Sequence, residues 1–486
     1  MKYDVVIIGS GLGGLLCGTI LSREGYSVCM VEKNARTGGC LQSMRRGGHV
    51  FNTGIHYMGS LDKGQILHQY FKYFGLIGKI DVQRLDENGF DVIGFGSDGA
   101  AYPLAMGTGF VDSLAKHFPD ERHALEQYAA KLKDVCRSLP FYALDDKLYG
   151  AVLDKPYIGI CADEYLRSMI GNTRLQEILS GNDLMYGIIS DKTSLLLYSL
   201  INHSFTESAW RMAGDSEQIG NALADEIRAA GGTIICRRTA ERFVVEKGTA
   251  KAVVLHTGEE IEGTQFISNA HPQITLRMIA EGDIRKSYRM RIENMQNSSG
   301  IFVLHVALKE RTFPFCNHIY YHYNRNHTWP SKFMMTPAGN ERDGYAQAVS
   351  LLANMDFAEL KPWEHTTVGH RDAGYQELKT RKARQLIEAA EQHFPGFGQM
   401  IAHQYTSTPL SYRDYTGTPE GAAYGVLKDC NRPLSTMVFP RTGISNLLLT
   451  GQNVYFHGML GVSIGAAATC SELLGAKYLI DKIKGS

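Results

Sequence analysis

The sequence predicts an α/β fold, in which a doubly wound domain is joined to a discontinuous α+β domain. The chain begins with an apolar run of strand length that ends at Ile8, followed at once by a glycine-rich turn and an apolar helical stretch as far as Leu21. A second short strand, Ser27–Val31, completes a β-α-β order. Near the C-terminus, Leu447–Leu449 again leads into a glycine turn and a helix. With 486 residues the chain exceeds one ordinary domain, so two domains are expected.

The first glycine-rich turn has the spacing Gly9-x-Gly11-x-x-Gly14. Glu32 directly follows the second strand, with seventeen residues between Gly14 and this acid. Gly9 permits a tight turn, Gly11 lets backbone approach a pyrophosphate, and Gly14 lets the helix pack closely on the strand. The helix N-terminus offers free N–H groups to phosphates, and Glu32 would accept hydrogen bonds from a ribose. In this β-α-β context the pattern indicates a dinucleotide-binding, Rossmann-type domain rather than a bare glycine turn. Two neighbours complete the candidate nucleotide-binding set: Leu12 and Lys33.

The glycines that come later decide between NAD and FAD, which the β-α-β unit alone leaves open. A glycine pair follows soon after the ribose-binding acid, and glycine permits backbone to lie close to the ribityl chain of a flavin. The C-terminal turn and helix supply a second helix N-terminus that suits a phosphate or a flavin edge. These features favour FAD, with the following further candidates for binding it: Gly38, Gly39, Thr53, Gly54, Gly451, Gln452, Gly461, Val462 and Ala466.

Several stretches of the chain resemble the FAD-dependent phytoene desaturase, retinol saturase and carotenoid isomerase-like family of the amine oxidase flavoprotein superfamily. The resemblance covers nearly the whole chain. Cys40 and Gln452 stand where many amine oxidases carry Arg and Asp, and both residues fit the saturase-like branch better. The stretches that carry the resemblance are Gly38–Cys40, Phe51–Gly59, Thr408–Tyr415, Pro419–Gly425 and Leu449–Gln452.

The resemblance implies FAD as the cofactor and an apolar, conjugated, isoprenoid-like small molecule as the substrate. The reaction would be a hydride exchange at a C–C bond, as saturation, desaturation or isomerisation, and its direction stays open. A backbone group at the position that matches Ala240 would contact the adenine. Because no second dinucleotide fingerprint is present, we expect an external electron donor or acceptor.

The domain organisation is expected to be discontinuous. Helical periodicity predicts a helix near residues 120–139 and a charged helix over Tyr375–Phe394, whereas Ile301–Ala307 alternates like a strand beside a cavity. We expect an FAD-binding domain of residues 1–110, 211–290 and 436–486, and a substrate-binding domain of residues 111–210 and 291–435.

Composition narrows the class of protein and its surroundings. Fifty basic and fifty acidic side chains give no net charge, so nucleic acid is not an expected partner. Nine scattered cysteines without a Cys-x-x-Cys motif favour reduced thiols in a cytoplasmic protein. Because the implied substrate is insoluble in water, peripheral membrane contact is also expected. The candidate is the helical stretch of residues 140–204, with Phe141, Tyr142, Leu148, Tyr149 and Tyr157 on one amphipathic segment.

Flavin chemistry requires a side chain or water that manages the proton that accompanies the hydride. The motifs predict His56, Tyr57, Tyr412, Tyr424 and His457 near the flavin, so these residues are the catalytic candidates; each could equally line an apolar cavity with its polar tip satisfied. The run Asn317–His327 holds several histidines and tyrosines but no acid or cysteine, and no metal site is predicted there.

Two other functions remain open on sequence grounds. A flavin amine or amino-acid oxidase would need an aromatic cage beside the flavin and often a basic residue for a carboxylate, and neither can be placed in the sequence. An inactive flavin-binding scaffold is disfavoured because the glycine motifs at both ends of the chain are intact.

Overall fold

The structure is a computed structural model that describes residues 2–96, 98–149, 156–187, 191–324, 328–339 and 343–486. In chain order its strands are β1 (Lys2–Ile8), β2 (Val28–Val31), β3 (Ser43–Arg46), β4 (His49–Asn52), β5 (Met58–Gly59), β6 (Val82–Arg84), β7 (Asp91–Phe95), β8 (Ala101–Leu104), β9 (Ala209–Met212), β10 (Thr233–Ile235), β11 (Ala240–Glu246), β12 (Thr249–Leu255), β13 (Glu260–Ser268), β14 (Gly300–Leu308), β15 (Ile319–Tyr323), β16 (Lys332–Gly339), β17 (Ala346–Met355), β18 (Ile401–Ser407) and β19 (Leu447–Leu449).

The helices, again in chain order, are α1 (Leu12–Arg23), α2 (Ile66–Phe74), α3 (Gly109–Ala115), α4 (Arg122–Arg137), α5 (Pro140–Ala143), α6 (Ala162–Met169), α7 (Thr173–Leu179), α8 (Leu195–Glu207), α9 (Glu217–Ala229), α10 (Pro272–Arg277), α11 (Lys286–Glu293), α12 (Ala373–Glu391), α13 (Phe397–Met400), α14 (Pro409–Thr416), α15 (Pro433–Thr436), α16 (Gly458–Leu474) and α17 (Ala476–Gly485).

The first sheet has the order β10-β2-β1-β13-β12-β11, and β19 pairs in parallel with the end of β13. Strands β10, β2, β1 and β13 run parallel, whereas β12 and β11 form an antiparallel extension. Val5, Val6 and Ile7 of β1 are fully buried, because Val5 and Ile7 pack in the cluster that contains α1, whereas Val6 packs on the other face with residues of β11, β12 and β13. The predicted doubly wound α/β fold is therefore confirmed.

Helices α1 and α16 pack against each other beside this sheet, so the two ends of the chain meet in one layer. The thiol of Cys17 on α1 lies 3.3 Å from the hydroxyl of Thr450 and 3.8 Å from the carbonyl oxygen of Ala466 on α16. The packing brings the N-terminal and C-terminal glycine motifs to the same edge of the sheet.

The second sheet has the order β18-β14-β17-β16-β15-β7-β8. All nine residues of β14 are buried, because one face of the strand packs against α12 and its neighbours and the other faces the first domain. Strands β7 and β8 belong to this sheet, although our division by sequence counted residues 1–110 with the cofactor domain. The domain boundaries themselves remain a prediction.

The predicted long helices occur with small shifts in their ends, as α4 and α12. The stretch of residues 140–204 is helical, as predicted, and consists of the short helices α5, α6 and α7, several turns and the longer helix α8. Phe141 and Tyr142 are buried, while Tyr149 is 46% exposed. Residues 150–155 of this stretch lie outside the described part of the chain. Among the described helices, none is long and apolar enough to cross a bilayer.

Candidate functional site

A cavity of about 440 Å³ extends from the first glycine loop to the second sheet. It is bounded by the carboxyl ends of parallel strands on one side, which is where open α/β sheets bind their ligands. The predicted cofactor-binding residues on its wall are Gly9, Gly11, Leu12, Glu32, Lys33, Gly38, Gly39, Thr53, Gly54, Ala240, Gln452, Gly461 and Val462. The other three, Gly14, Gly451 and Ala466, lie behind this wall, and the binding role of the whole set remains a prediction.

The first glycine loop has the close packing that its spacing predicts. Gly9 has a φ of +89°, and a side-chain carbon added at Gly14 would lie 2.1 Å from the carbonyl oxygen of Gly9. A residue larger than glycine at position 14 would therefore push α1 away from the loop. Gly11 caps α1 without a side-chain hydrogen bond, so the first N–H groups of this helix remain available at the cavity.

Glu32 has a fixed position at the end of the cavity that is formed by the first glycine loop, which we call the nucleotide end. It is 4% exposed, and one carboxylate oxygen accepts hydrogen bonds from the backbone N–H and the hydroxyl of Ser10 at 2.9 and 2.6 Å. The other oxygen accepts the backbone N–H of Asn34 at 2.7 Å. Burial lowers the pKa of the neighbouring Lys33, whose ammonium lies 3.4 Å from the carbonyl oxygen of Asp414. The carboxylate thus keeps a fixed orientation, with lone pairs left for a ribose.

Asn269 joins the two glycine motifs, and sequence reasoning missed it. It follows β13 directly, and its backbone N–H donates to the carbonyl of Ile8 at 2.8 Å. A side-chain carbon at Gly451 would lie 2.2 Å from the Asn269 amide oxygen, and one at Gly13 would lie 2.5 Å from the Gly451 Cα. Its place after a buried strand, at the carboxyl edge of the sheet, was the available clue in the sequence.

The second glycine pair continues the wall away from the nucleotide loop. The backbone N–H of Gly38 donates to the carbonyl of Ser10 at 2.9 Å, which ties the two loops together. A side-chain carbon at Gly54 would lie 2.5 Å from the carbonyl oxygen of Cys40. The hydroxyl of Thr53 donates to the carbonyl of Gln42 at 2.7 Å. The cleft therefore extends past the pyrophosphate position between closely packed backbone segments.

The far end of the cavity is apolar, and we call it the apolar chamber. Helix α8 supplies one wall and the central strands of the second sheet supply another. In this structure Glu32 is the single carboxylate among the described residues that line the cavity, and it lies at the opposite end. The side chains that define the apolar chamber are Leu200, Ile201, Phe205, Ile301, Met334 and Leu352.

The five catalytic candidates all line the cavity, but the hydroxyls of Tyr57 and Tyr412 point into the protein. The Tyr57 hydroxyl lies 2.7 Å from that of Tyr321 and donates to Asp91 at 3.1 Å, while its ring stacks on Phe205. The Tyr412 hydroxyl donates to the carbonyl of Thr53 at 3.0 Å. Both hydroxyl protons are therefore already used in hydrogen bonds within the protein.

Tyr424 and His457 are also engaged through their polar tips. The Tyr424 hydroxyl donates to the carbonyl of Leu184 at 2.8 Å, and Nε2 of His457 lies 2.9 Å from the carbonyl oxygen of Met185. A carbonyl oxygen only accepts, so Nε2 of His457 carries the proton. Burial and the positive charge of Lys428 lower the pKa of His457 to about 3, so its imidazole is neutral near pH 7.

His56 is the candidate whose ring nitrogens are uncommitted. It makes no hydrogen bond with any residue in the described ranges, and burial alone lowers its pKa to about 4. The neighbouring His305 differs, because its Nδ1 lies 2.7 Å from the hydroxyl of Ser350. Among the five candidates, His56 is therefore the one whose ring nitrogens are free to exchange a proton.

Two buried ionisable groups near the cavity were not found from the sequence. Asp91 is fully buried, its Oδ1 has no partner within the described residues, and burial raises its pKa well above the ordinary value. Burial lowers the pKa of Lys428 to about 8, and its ammonium lies 3.2 Å from the carbonyl oxygen of Gln452. Neither residue belongs to a recognisable local motif. Among the described residues, no cluster of His, Cys, Asp and Glu suits a metal ion.

The comparisons with known proteins agree with this geometry. Residues 7–74 match a family model described as an NAD(P)-binding Rossmann-like domain. An all-trans-retinol 13,14-reductase from Danio rerio is 24% identical, with 97% of this chain and 86% of that protein covered. A chloroplastic prolycopene isomerase from Daucus carota is 23% identical, with 98% and 80% covered. Over nearly its whole length the chain is therefore similar to retinol reductases and carotenoid isomerases. The resemblance seen in the sequence is thereby confirmed.

Solved structures show which wider fold group the chain shares. An oxidoreductase from Methanosarcina mazei superposes with a TM-score of 0.66 at 15% identity, covering 96% of this chain and 99% of that one. A putrescine oxidase bound to putrescine gives a TM-score of 0.65 at 13% identity, with 98% and 99% covered. At these identities the likeness shows a shared fold. Taken with its relatives, the chain is an oxidoreductase-type enzyme with a dinucleotide-binding domain.

Proposed function

We propose that this protein is an FAD-dependent oxidoreductase that exchanges a hydride at a C–C bond of an apolar, conjugated, isoprenoid-like substrate. One observation carries the proposal: a single cavity joins the dinucleotide-binding loops to the apolar chamber. A long apolar molecule in that chamber would meet the cofactor without leaving the protein. The relatives named for retinol and prolycopene support this substrate class.

The residues present fit FAD better than NAD. The cleft does not end at the pyrophosphate loop but continues along Gly39 and Gly54, where added side-chain carbons would approach backbone atoms at 3.1 and 2.5 Å. Glu32 and the N-terminus of α1 would hold the adenosine and pyrophosphate, and the segment around Gly461 would hold the ring end. When bound, FAD supplies a centre that gives or takes a hydride.

We assign proton transfer to His56. Its imidazole is neutral near pH 7, because burial lowers its pKa to about 4, and no described neighbour occupies its ring nitrogens. A neutral imidazole can take up a proton and pass it on: in saturation it would deliver a proton from water to the substrate carbon that does not receive the hydride, and in desaturation it would accept a proton from carbon.

Contact with a membrane and exchange of electrons with an external partner are parts of the same proposal. A substrate that is insoluble in water has to be drawn from a lipid phase, which favours a peripheral membrane protein. Tyr149 is 46% exposed and lies in the stretch that we expected to contact lipid.

No described residue of the chamber carries a carboxylate for an ammonium group, so an amine substrate is disfavoured.

The test is direct reoxidation of the reduced flavin. The purified protein with bound FAD is reduced anaerobically, all-trans-retinol is added, and flavin absorbance and the mass of extracted retinoids are followed. We expect the oxidised flavin spectrum to return and a product heavier by two hydrogens to form. Ile201→Trp, which fills the chamber, should keep FAD and lose reoxidation. If neither retinol nor a carotene changes the flavin spectrum, the chain is an inactive scaffold or uses another substrate, and the proposal is wrong.

A further inference from the structure

A single turn, Asp183–Tyr186, lies between α7 and α8 and contacts α8 and β16, which form two walls of the apolar chamber; we call it the wall turn. Two of its side chains, Leu184 and Met185, line the cavity. Gly187 follows with a φ of +99°, a backbone conformation that ends the turn abruptly. A single turn of this kind holds its position only through contacts with other parts of the chain.

Two rings from the C-terminal part of the chain hold the backbone of the wall turn. Tyr424 donates its hydroxyl to the carbonyl of Leu184 at 2.8 Å, and His457 donates Nε2–H to the next carbonyl, that of Met185, at 2.9 Å. The two rings lie 4.2 Å apart with an interplanar angle of 30°, so each also fixes the other. Consecutive carbonyls are thus bound by a pre-assembled aromatic pair.

The opposite side of the wall turn is anchored by charge. Asp183, which is 2% exposed, forms an ion pair with Lys332 on β16 of the second sheet. Burial raises the pKa of Asp183, and Lys332 acts against that effect. The wall turn is therefore clamped between the second sheet and the segment that begins α16.

We propose that Tyr424 and His457 are specificity-determining residues, which fix Leu184 and Met185 and so set the shape of substrate that the chamber admits. This inference rests on the proposed function, because it takes the chamber as the substrate site. It gives both residues a positioning role rather than that of proton donors. Their donor hydrogens are already bound to carbonyl oxygens, and each carbonyl would lose its partner if the proton left.

The test begins without substrate, by hydrogen exchange and mass spectrometry of a peptide that contains the wall turn. The variants are Tyr424→Phe and His457→Phe, which keep the rings and remove the donors, and His457→Gln, which restores an amide donor. We expect exchange in the wall turn to rise about three- to tenfold in both Phe variants, as loss of one hydrogen bond predicts, and to return toward the parent in His457→Gln. Tyr412→Phe is the matched control, because its hydroxyl binds the carbonyl of Thr53 instead.

The second stage compares all-trans-retinol with 13-cis-retinol, which have the same composition and differ in shape. The ratio of their dissociation constants, from retinol fluorescence titrations of the FAD-loaded protein, should move toward one by about three- to tenfold in both Phe variants. The pH dependence of flavin reoxidation should stay that of the parent.

The outcomes separate the two proposals. Unchanged exchange in the wall turn, a ratio of one in the parent, or a shifted pH profile in the Phe variants would overturn the positioning role. If the FAD-loaded parent binds neither retinol, the proposed function fails, whereas the exchange data still decide whether the aromatic pair holds the wall turn.

Discussion

The two ends of the cavity are built by different means. At the nucleotide end, backbone atoms form the walls, and glycines at positions such as 14 and 451 allow segments to approach within a distance that any side chain would prevent. At the apolar chamber, aliphatic and aromatic side chains form the walls, and the tyrosines elsewhere on the cavity have their hydroxyls bound to protein groups. We therefore expect cofactor binding to depend on backbone shape and substrate choice to depend on side chains.

The largest expected effect follows from the backbone-built end. Gly14→Val should abolish FAD binding, because the added carbon would lie about 2.1 Å from the Gly9 carbonyl oxygen and displace the start of α1. The measurement is the flavin content of the purified protein, together with its thermal unfolding. Gly282→Ala is the matched control, since nothing lies within 4 Å of the added carbon there. If the Gly14→Val protein is yellow and carries FAD, the glycine loop tolerates a side chain at position 14, and this prediction is wrong.

The next largest effect concerns His56, a side chain that lines the cavity. His56→Phe should lower the rate of flavin reoxidation by about two to four orders of magnitude, the usual contribution of a group that transfers a proton, while FAD remains bound. In the parent, reoxidation delivers a hydride and a proton to the substrate, so the protonated imidazole is the active form and the rate should rise as pH falls toward about 4, where His56 becomes protonated.

The control for His56 is His305→Gln, which changes a neighbouring buried histidine that does not line the cavity. Its pH profile should resemble that of the parent. If instead His305→Gln removes the acid limb of the profile and His56→Phe does not, the proton-transfer assignment belongs to the wrong histidine.

The smallest expected effect concerns the free energy of unfolding and depends on Asp91, the buried carboxyl group that binds the Tyr57 hydroxyl. Burial raises the folded-state pKa of Asp91 above the ordinary 3.8, so the folded protein holds a proton that the unfolded chain releases. The free energy of unfolding of the parent should therefore fall as pH rises from about 4 to the folded pKa, and level off above it. Asp91→Asn, which has the shape of the neutral acid, should lack this fall and be more stable than the parent at pH 7 by about 1 kcal/mol or more.

The Asp91 measurement is a series of urea unfolding curves between pH 4 and pH 8 for parent and variant. The two stabilities should converge at the acid end and separate as pH rises. A parent whose stability does not change relative to Asp91→Asn across this range would mean that Asp91 is ionised and paired in the folded protein.

The sequence predicted the nucleotide end better than the chamber for a physical reason. The turn around Gly9 and Gly11 is local, so steric requirements appear as a fixed spacing that can be recognised without the fold. Asn269 escaped notice because its role depends on two loops that meet only in the folded protein. The same is true of Asp91, whose partner Tyr57 comes from a distant segment and is itself hydrogen-bonded to Tyr321.

The catalytic candidates show the same limit within a single motif. His56 and Tyr57 are adjacent in the sequence, and both line the cavity as their motif predicts. The Tyr57 hydroxyl nevertheless points into the protein toward Asp91, whereas the ring nitrogens of His56 are free. A motif of this kind predicts which residues come near the cofactor, but the direction of each polar tip is decided by contacts with other segments.

The parallel pairing of β7 with β15 has a consequence for how the protein is made. Asp91–Phe95 leaves the ribosome early, yet its neighbour Ile319–Tyr323 is synthesised much later, and the first sheet in turn waits for Leu447–Leu449. Neither sheet is complete until most of the polypeptide has emerged, so contacts of high sequence separation dominate the folding barrier. Folding should accordingly be slow and cooperative across both domains, and the early strands need protection from aggregation in the meantime.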